Sequence, residues 1–134
     1  MTEKSCGTIP YTIKDGKIQF LLIKAKDGFC GFPKGHMENN ETEIETALRE
    51  TKEETSLDVS INSDFRYETS YPKKNGNVKV AVYFLANYKN QEPKHSEGFE
   101  DFDFLLLPYE SAYNELTFEE AKDMLKLAND YLTK

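Results

Sequence analysis

The chain has 134 residues, 38% hydrophobic and 13% aromatic, which suits one globular domain and excludes a disordered polymer. Its formal net charge is -7 with a pI near 4.9, which excludes strong nucleic-acid binding through bulk charge. No apolar run reaches the length of a membrane span, and the opening MTEKSCGTIPY lacks the apolar core of a signal peptide, so no membrane partner is expected. Cys6 and Cys30, the only cysteines, have neither metal-ligand spacing nor a disulfide framework. They are assigned to core packing in a reducing compartment, and the expected location is cytoplasmic. A monomer is the favoured state.

Residues 5–13 (SCGTIPYTI) and 18–25 (IQFLLIKA) are rich in β-branched and aromatic residues and flank Asp15-Gly16, which predicts a hairpin. Asp27-Gly28 marks a second turn before the short apolar piece Phe29 to Phe32. Pro33-Lys34-Gly35-His36 then breaks the strand and lets the backbone approach a ligand closely. A helix follows, opened by a capping box at Asn40/Glu43 or at Thr42/Glu45. Ile44, Ala47, Leu48, Thr51 and Thr55 give it one buried stripe at three- and four-residue spacing. Glu53 and Glu54 lie roughly 60° and 40° from Glu50 around the axis, at about 100° per residue. Three carboxylates therefore crowd within one turn, a repulsion that a hard divalent cation turns into ligation. A solvated acidic face is the simpler reading of the same charges.

Leu57 to Ile61 and Phe65 to Tyr71 are predicted as strands, Lys73 to Asn77 as a turn, and Val78 to Tyr88 as the most strand-like run. Residues 89–98 form a polar surface loop, and Phe99 to Leu107 a strand with an exposed start. Thr117 to Leu132 is predicted as a second amphipathic helix, with a Thr117/Glu120 capping box and a stripe at Ala121, Met124, Leu125, Ala128, Tyr131 and Leu132. The order β-β-(β)-α-β-β-β-β-α implies a mixed α/β (α+β) domain over residues 1–134.

The stretch Gly35 to Leu57 (GHMENNETEIETALRETKEETSL) decides between the two readings of the acidic helix. Five residues separate Gly35 from Glu41, seven more lead to Arg49-Glu50, and two further lead to Glu53-Glu54. This spacing resembles the Nudix box, here residues 35–57. Thr51 stands where that family has an aliphatic residue, and Ser56 where it has the glycine that ends the helix. The left-handed backbone needed there suits glycine best and costs other residues about 1 kcal/mol.

The resemblance implies a mixed sheet between helical layers (α/β/α) and hydrolysis of nucleoside diphosphate linkages with Mg²⁺ or Mn²⁺. It makes Glu50, Glu53 and Glu54 metal ligands, joined by the Lys34 carbonyl. Arg49 is implied to be structural, pairing with Glu53 or Glu45, while Gly35 and Glu41 shape the loop. The water's proton goes to Glu50 or Glu53, or to a late-loop glutamate, for which Glu97 and Glu100 are the candidates.

Phe32-Pro33-Lys34-Gly35-His36, Cys6-Gly7, the run from Phe20 to Gly28 and Tyr71 are similar to the asymmetric diadenosine tetraphosphate hydrolases. That likeness makes Tyr71 an adenine contact, and Lys34, His36, Lys73, Lys74 and Lys79 phosphate contacts. The alternatives for Tyr71 and the turn lysines are a sheet tyrosine and solvated charges. Phe32 and the region of Phe104 lack the family's tryptophans, and HSEGFED (95–101) departs from its His-Glu-His loop.

The implied substrate is a small nucleotide polyphosphate, foremost diadenosine tetraphosphate cleaved to ATP and AMP. A Nudix pyrophosphohydrolase for nucleoside triphosphates, RNA 5′ ends or diphosphoinositols is the second reading. A non-catalytic nucleotide-sensing Nudix domain is the third.

Overall fold

The computed structural model describes residues 2–98 and 101–134. In chain order its elements are β1 (Thr2–Lys14), β2 (Lys17–Ala25), β3 (Cys30–Gly31), β4 (Lys34–His36), α1 (Glu43–Thr55), β5 (Ser60–Pro72), β6 (Val78–Asn87), β7 (Phe102–Leu107), α2 (Tyr109–Glu115) and α3 (Glu119–Leu132). The strands form one mixed sheet in the order β3-β2-β1-β6-β5, with β4 paired to β1 and β7 to β2. β1 runs parallel to β6 from Thr2↔Val78 to Tyr11↔Asn87. Its other edge is shared, antiparallel to β4 at Ser5–Gly7 and to β2 at Tyr11–Lys14. That edge forks between the two partners, and the Thr8 N–H donates to the Pro33 carbonyl beside the fork at 3.2 Å.

The period-two alternation of β6 sorts the layers. Ala81, Tyr83 and Leu85 join a core with Ile9, Phe20, Leu22, Met124, Leu125 and Ala128, so α3, with Ala112 of α2, covers that face. Val82 and Phe84 point the other way and pack with Cys6 and Ala47 under α1. The result is the expected α/β/α arrangement. Each fully buried leucine or phenylalanine contributes about 1.5–3 kcal/mol relative to exposure.

Local chemistry explains where the elements depart from expectation. The two strands predicted between Leu57 and Tyr71 are one strand, β5, with a register shift between Asn62 and Arg66. Leu57 precedes it as a buried core residue beside Leu21 and Tyr88. The helix α2 was not expected: it has seven residues and Pro108 at its N-cap without a side-chain cap bond, so it carries little periodic signal. α1 starts with the Thr42/Glu45 capping box and not with Asn40. Its buried face is Thr46, Ala47, Thr51 and Thr55, while Ile44 and Leu48 are exposed. Thr51 fits because its hydroxyl meets that of Thr8 at 2.8 Å, both residues being fully buried. The Thr117/Glu120 capping box does not form. Thr117 Oγ1 instead accepts the Cys30 N–H at 2.8 Å, and Phe118 is the N-cap of α3.

Glu43 ties α1 to two strands, accepting from Arg66 Nε and Nη2 at 2.9 and 2.8 Å and pairing with Lys4. The Arg66 hydrogen bonds, chiefly, hold its carboxyl at about 2 against an ordinary 4.5. A depressed carboxyl pKa contributes stability that is complete above the unfolded value and vanishes as pH falls through the folded one. Glu43→Gln should therefore lower stability at neutral pH by about 1 kcal/mol, since the pair is partly screened by solvent. It should also flatten the decline in stability between pH 4.5 and 2. Urea unfolding at a series of pH values measures both; an unchanged slope would remove Glu43 from the acid-sensitive groups.

Candidate active site

The site straddles the short ladder between β1 and β4, because adjacent residues of a strand point to opposite faces. Gly35 faces α1. A Cβ there would lie 2.0 Å from Glu50 Cδ and 2.1 Å from its Oε2, so only glycine lets this carboxylate reach the strand. Lys34 and His36 face the other way, toward β6.

Arg49 organises the helix side. Its Nε donates to Glu41 Oε2 at 2.7 Å and its Nη2 to Glu41 Oε1 at 3.0 Å, the bidentate form that suits a planar guanidinium. Nη1 donates to Glu50 at 2.9 Å and reaches Glu53 at 3.4 Å, while Nη2 also donates to the His36 carbonyl at 3.0 Å. The expected partner Glu45 is not involved, because its carboxylate accepts the Thr42 N–H. Glu41 further accepts from the Glu38 N–H and the Thr46 hydroxyl, bracing the loop before α1. The Arg49 hydrogen bond, foremost, holds the Glu41 carboxyl at about 2.

Glu50 and Glu54 behave in the opposite way. Burial, above all, pushes the Glu50 carboxyl up, although Arg49 pulls against it. Burial and then the Glu50 charge raise Glu54 to about 8, and its Oε2 is buried without a hydrogen-bond partner. Buried polar atoms are nearly always satisfied, so an orphaned carboxylate oxygen beside two other glutamates suits a cationic ligand. The donor set fits Mg²⁺ or Mn²⁺. Among the described residues no three acidic, histidine or cysteine side chains converge into a closed cage, since Glu50 is turned onto Arg49.

A cavity of about 550 Å³ opens beside Glu54 and Lys34. Its walls include Phe32, Tyr67, Tyr71 and Tyr83, with Phe29 and Phe118 at the rim 5.4 Å apart. Tyr71 is 42% exposed and Phe118 60%, so both rings present free faces. Lys34 is half-buried, and that burial lowers its pKa. Lys79 is only 7% exposed, and its Nζ lies 3.3 Å from His36 Nδ1, two basic groups aimed at one region.

The other expected residues fall outside this cluster. Lys73 is paired with Glu3 at 2.8 Å, and Lys74 stands exposed in the turn. Glu97 is exposed and does not line the cavity, and Glu100 lies outside the described residues. Ser56 adopts the left-handed backbone of the missing box glycine, at φ 63°, and its hydroxyl meets that of Ser96 at 3.2 Å. Phe118, Tyr83 and Glu120 (expected only as a capping residue) line the cavity unexpectedly, since nothing short of the sheet register and the seat of α3 links them to the box.

The NUDIX domain profile matches residues 7–128. The chain belongs to the Nudix family. It is 34% identical to a mouse protein named bis(5′-nucleosyl)-tetraphosphatase [asymmetrical] over 98% of this chain and 97% of that one. The rat protein of the same name is 32% identical with the same coverage. A crystal structure of a C. elegans Ap4A hydrolase binary complex superposes with a TM-score of 0.87 at 29% identity, covering 98% of each chain. Among the described residues no helix is long and apolar enough to cross a membrane. The protein is therefore a Nudix hydrolase, from a family that generally needs divalent metal ions.

The raised Glu54 carboxyl has a thermodynamic signature. Its folded value of about 8 exceeds the ordinary 4.5, so the folded state holds an extra proton between those values and loses stability as pH rises through them. Glu54→Gln should abolish this decline and raise the thermal midpoint above pH 8 in metal-free protein. Thermal unfolding from pH 5 to 9 checks it, and parallel curves for the two proteins would refute the assignment.

Proposed function

We propose that the protein hydrolyses diadenosine tetraphosphate asymmetrically to ATP and AMP. The observation that carries this reading is the orphaned Glu54 carboxylate set against an aromatic cavity with room for a nucleoside. The names of the mouse and rat relatives support the same substrate.

Glu50, Glu53 and Glu54, with the Lys34 carbonyl, would hold Mg²⁺ or Mn²⁺, which when bound supplies charge neutralisation at the phosphates and acidifies water. The chain's own groups do the rest. Arg49 fixes the directions of Glu50 and Glu53. One carboxylate, Glu50, Glu53 or the late-loop Glu97, takes the water's proton as oxygen attacks the phosphorus of the AMP moiety. The bridging P–O bond breaks, ATP leaves as an anion, and the carboxylate gives its proton up to solvent. Lys34, His36 and Lys79 face the phosphate chain. Tyr71 and Phe118 stack on a base from two sides, a contact worth about 1–3 kcal/mol per base. Lys73, neutralised by Glu3, contributes less than its sequence position suggests.

Hydrolysis in ¹⁸O-labelled water with Mg²⁺ tests the proposal. The expected products are equal ATP and AMP with label in AMP alone. Rapid pyrophosphate release from nucleoside triphosphates, with the dinucleotide untouched, would favour the pyrophosphohydrolase reading. Glu53→Gln should lower kcat by at least about a hundredfold at little cost in KM, because it acts in the transition state. Tyr71→Ala should raise KM more than it lowers kcat. Steady-state kinetics on both variants decides these assignments.

A further inference from the structure

The ring of Tyr83 belongs to the core under α3, but its hydroxyl is used by nothing described so far. It sits on β6 at 9% exposure, lines the cavity, and its hydroxyl has no hydrogen-bond partner among the described residues. The enclosed unpaired side-chain atoms among the described residues are Glu54 Oε2 and Tyr88 Oη, so the Tyr83 hydroxyl is instead accessible from the cavity, where a ligand can meet it. Fold stability alone gives no reason for it, since phenylalanine would fill the same volume.

The sheet register shows what lies beside it. Tyr67, Tyr83, Gly7 and Lys34 form one row across β5, β6, β1 and β4. A Cβ on Gly7 would lie 2.0 Å from the Pro33 carbonyl oxygen and 2.7 Å from Lys34 Cβ. Glycine at this point therefore lets β4 close onto β1 and carries Lys34 toward Tyr83. Both side chains line the cavity next to Glu54, while Phe29, Phe32 and Phe118 supply its apolar part.

We propose that Tyr83 and Lys34 donate together to one phosphoryl oxygen of the bound nucleotide, making Tyr83 a substrate-binding residue at the polar end of the cavity. The inference deepens the nucleotide reading above and rests on it. Two donors, one of them cationic, match a group that is anionic and only accepts hydrogen bonds. A ribose hydroxyl or a base nitrogen could accept from the phenol, but either would leave the ammonium without a counter-charge. The contact forms only with ligand, so the free protein tolerates an unpaired hydroxyl.

Tyr83→Phe removes that hydroxyl and little else. The expected result is a fall of about ten- to a hundredfold in kcat/KM, the usual effect of deleting a hydrogen bond to a charged group. Calorimetry without added metal should show ADP bound about tenfold or more weakly and adenosine bound as before. The thermal midpoint of the free variant should be unchanged or raised, because no partner is lost. Unaltered kinetics and ADP affinity would overturn the inference, as would equal losses for ADP and adenosine, which would assign the phenol to the nucleoside. A lowered midpoint with both affinities reduced would make Tyr83 a structural residue and overturn it equally. If the wild type binds ADP through Tyr83 but cleaves no polyphosphate, the proposed activity fails and this contact stands.

Discussion

The arrangement depends on how an acidic chain keeps carboxylates close together without cationic help from solvent. Arg49 is the answer on the helix. One guanidinium meets Glu41, Glu50, Glu53 and the His36 carbonyl, and so joins the loop before α1, the strand β4 and the first turns of the carboxylate cluster. A lysine could neutralise the charge but could not bridge these acceptors, since it lacks the planar fork. Arg66 does comparable work at the other end of α1, holding Glu43 against β5. The two arginines, the only ones in the chain, are thus both spent on seating one helix.

Two glycines on a single strand pair complete the site from opposite sides. Gly35 removes the side chain that would exclude Glu50 on the α1 face, and Gly7 removes the one that would hold Lys34 away on the cavity face. The β1–β4 ladder is consequently a thin wall, with the carboxylate cluster on one side and cationic and aromatic side chains on the other. Glu54 lines the cavity itself, linking the two. Its orphaned oxygen therefore lies where the carboxylate cluster and the cavity meet.

The acidic cluster was legible in the sequence because Glu50, Glu53, Glu54 and Arg49 share one helix, and helical spacing converts directly into proximity. The β-strands were legible through alternation, and the left-handed turn at Ser56 through its place in the box. What escaped was set by contacts distant in sequence. Lys73 is drawn to Glu3, 70 residues away, so its place in a lysine-rich turn misstates its availability. Thr51 looks like a weak core residue until Thr8 is found opposite. The cavity walls come from β5, β6, the β2–β3 region and α3, and only the register of the sheet brings Tyr83 beside Lys34. Ile44 and Leu48 lie on the outer face of α1, where buried threonines have taken the inner positions that hydropathy would have given to them.

The parallel pairing of β1 with β6 has a consequence for how the molecule comes into being. Ten successive residues at the start of the chain, Thr2 to Tyr11, are matched with residues beyond position 77. The loop that must close before this pairing is rewarded spans more than half the chain, the kind of non-local contact that slows folding. During synthesis the N-terminal strand emerges first and must wait for β6. The hairpin with β2 can form early, but Gly7, Lys34 and Tyr83 cannot share a row until β6 arrives. The wall of the cavity is therefore completed late, first by β6 and then by α3.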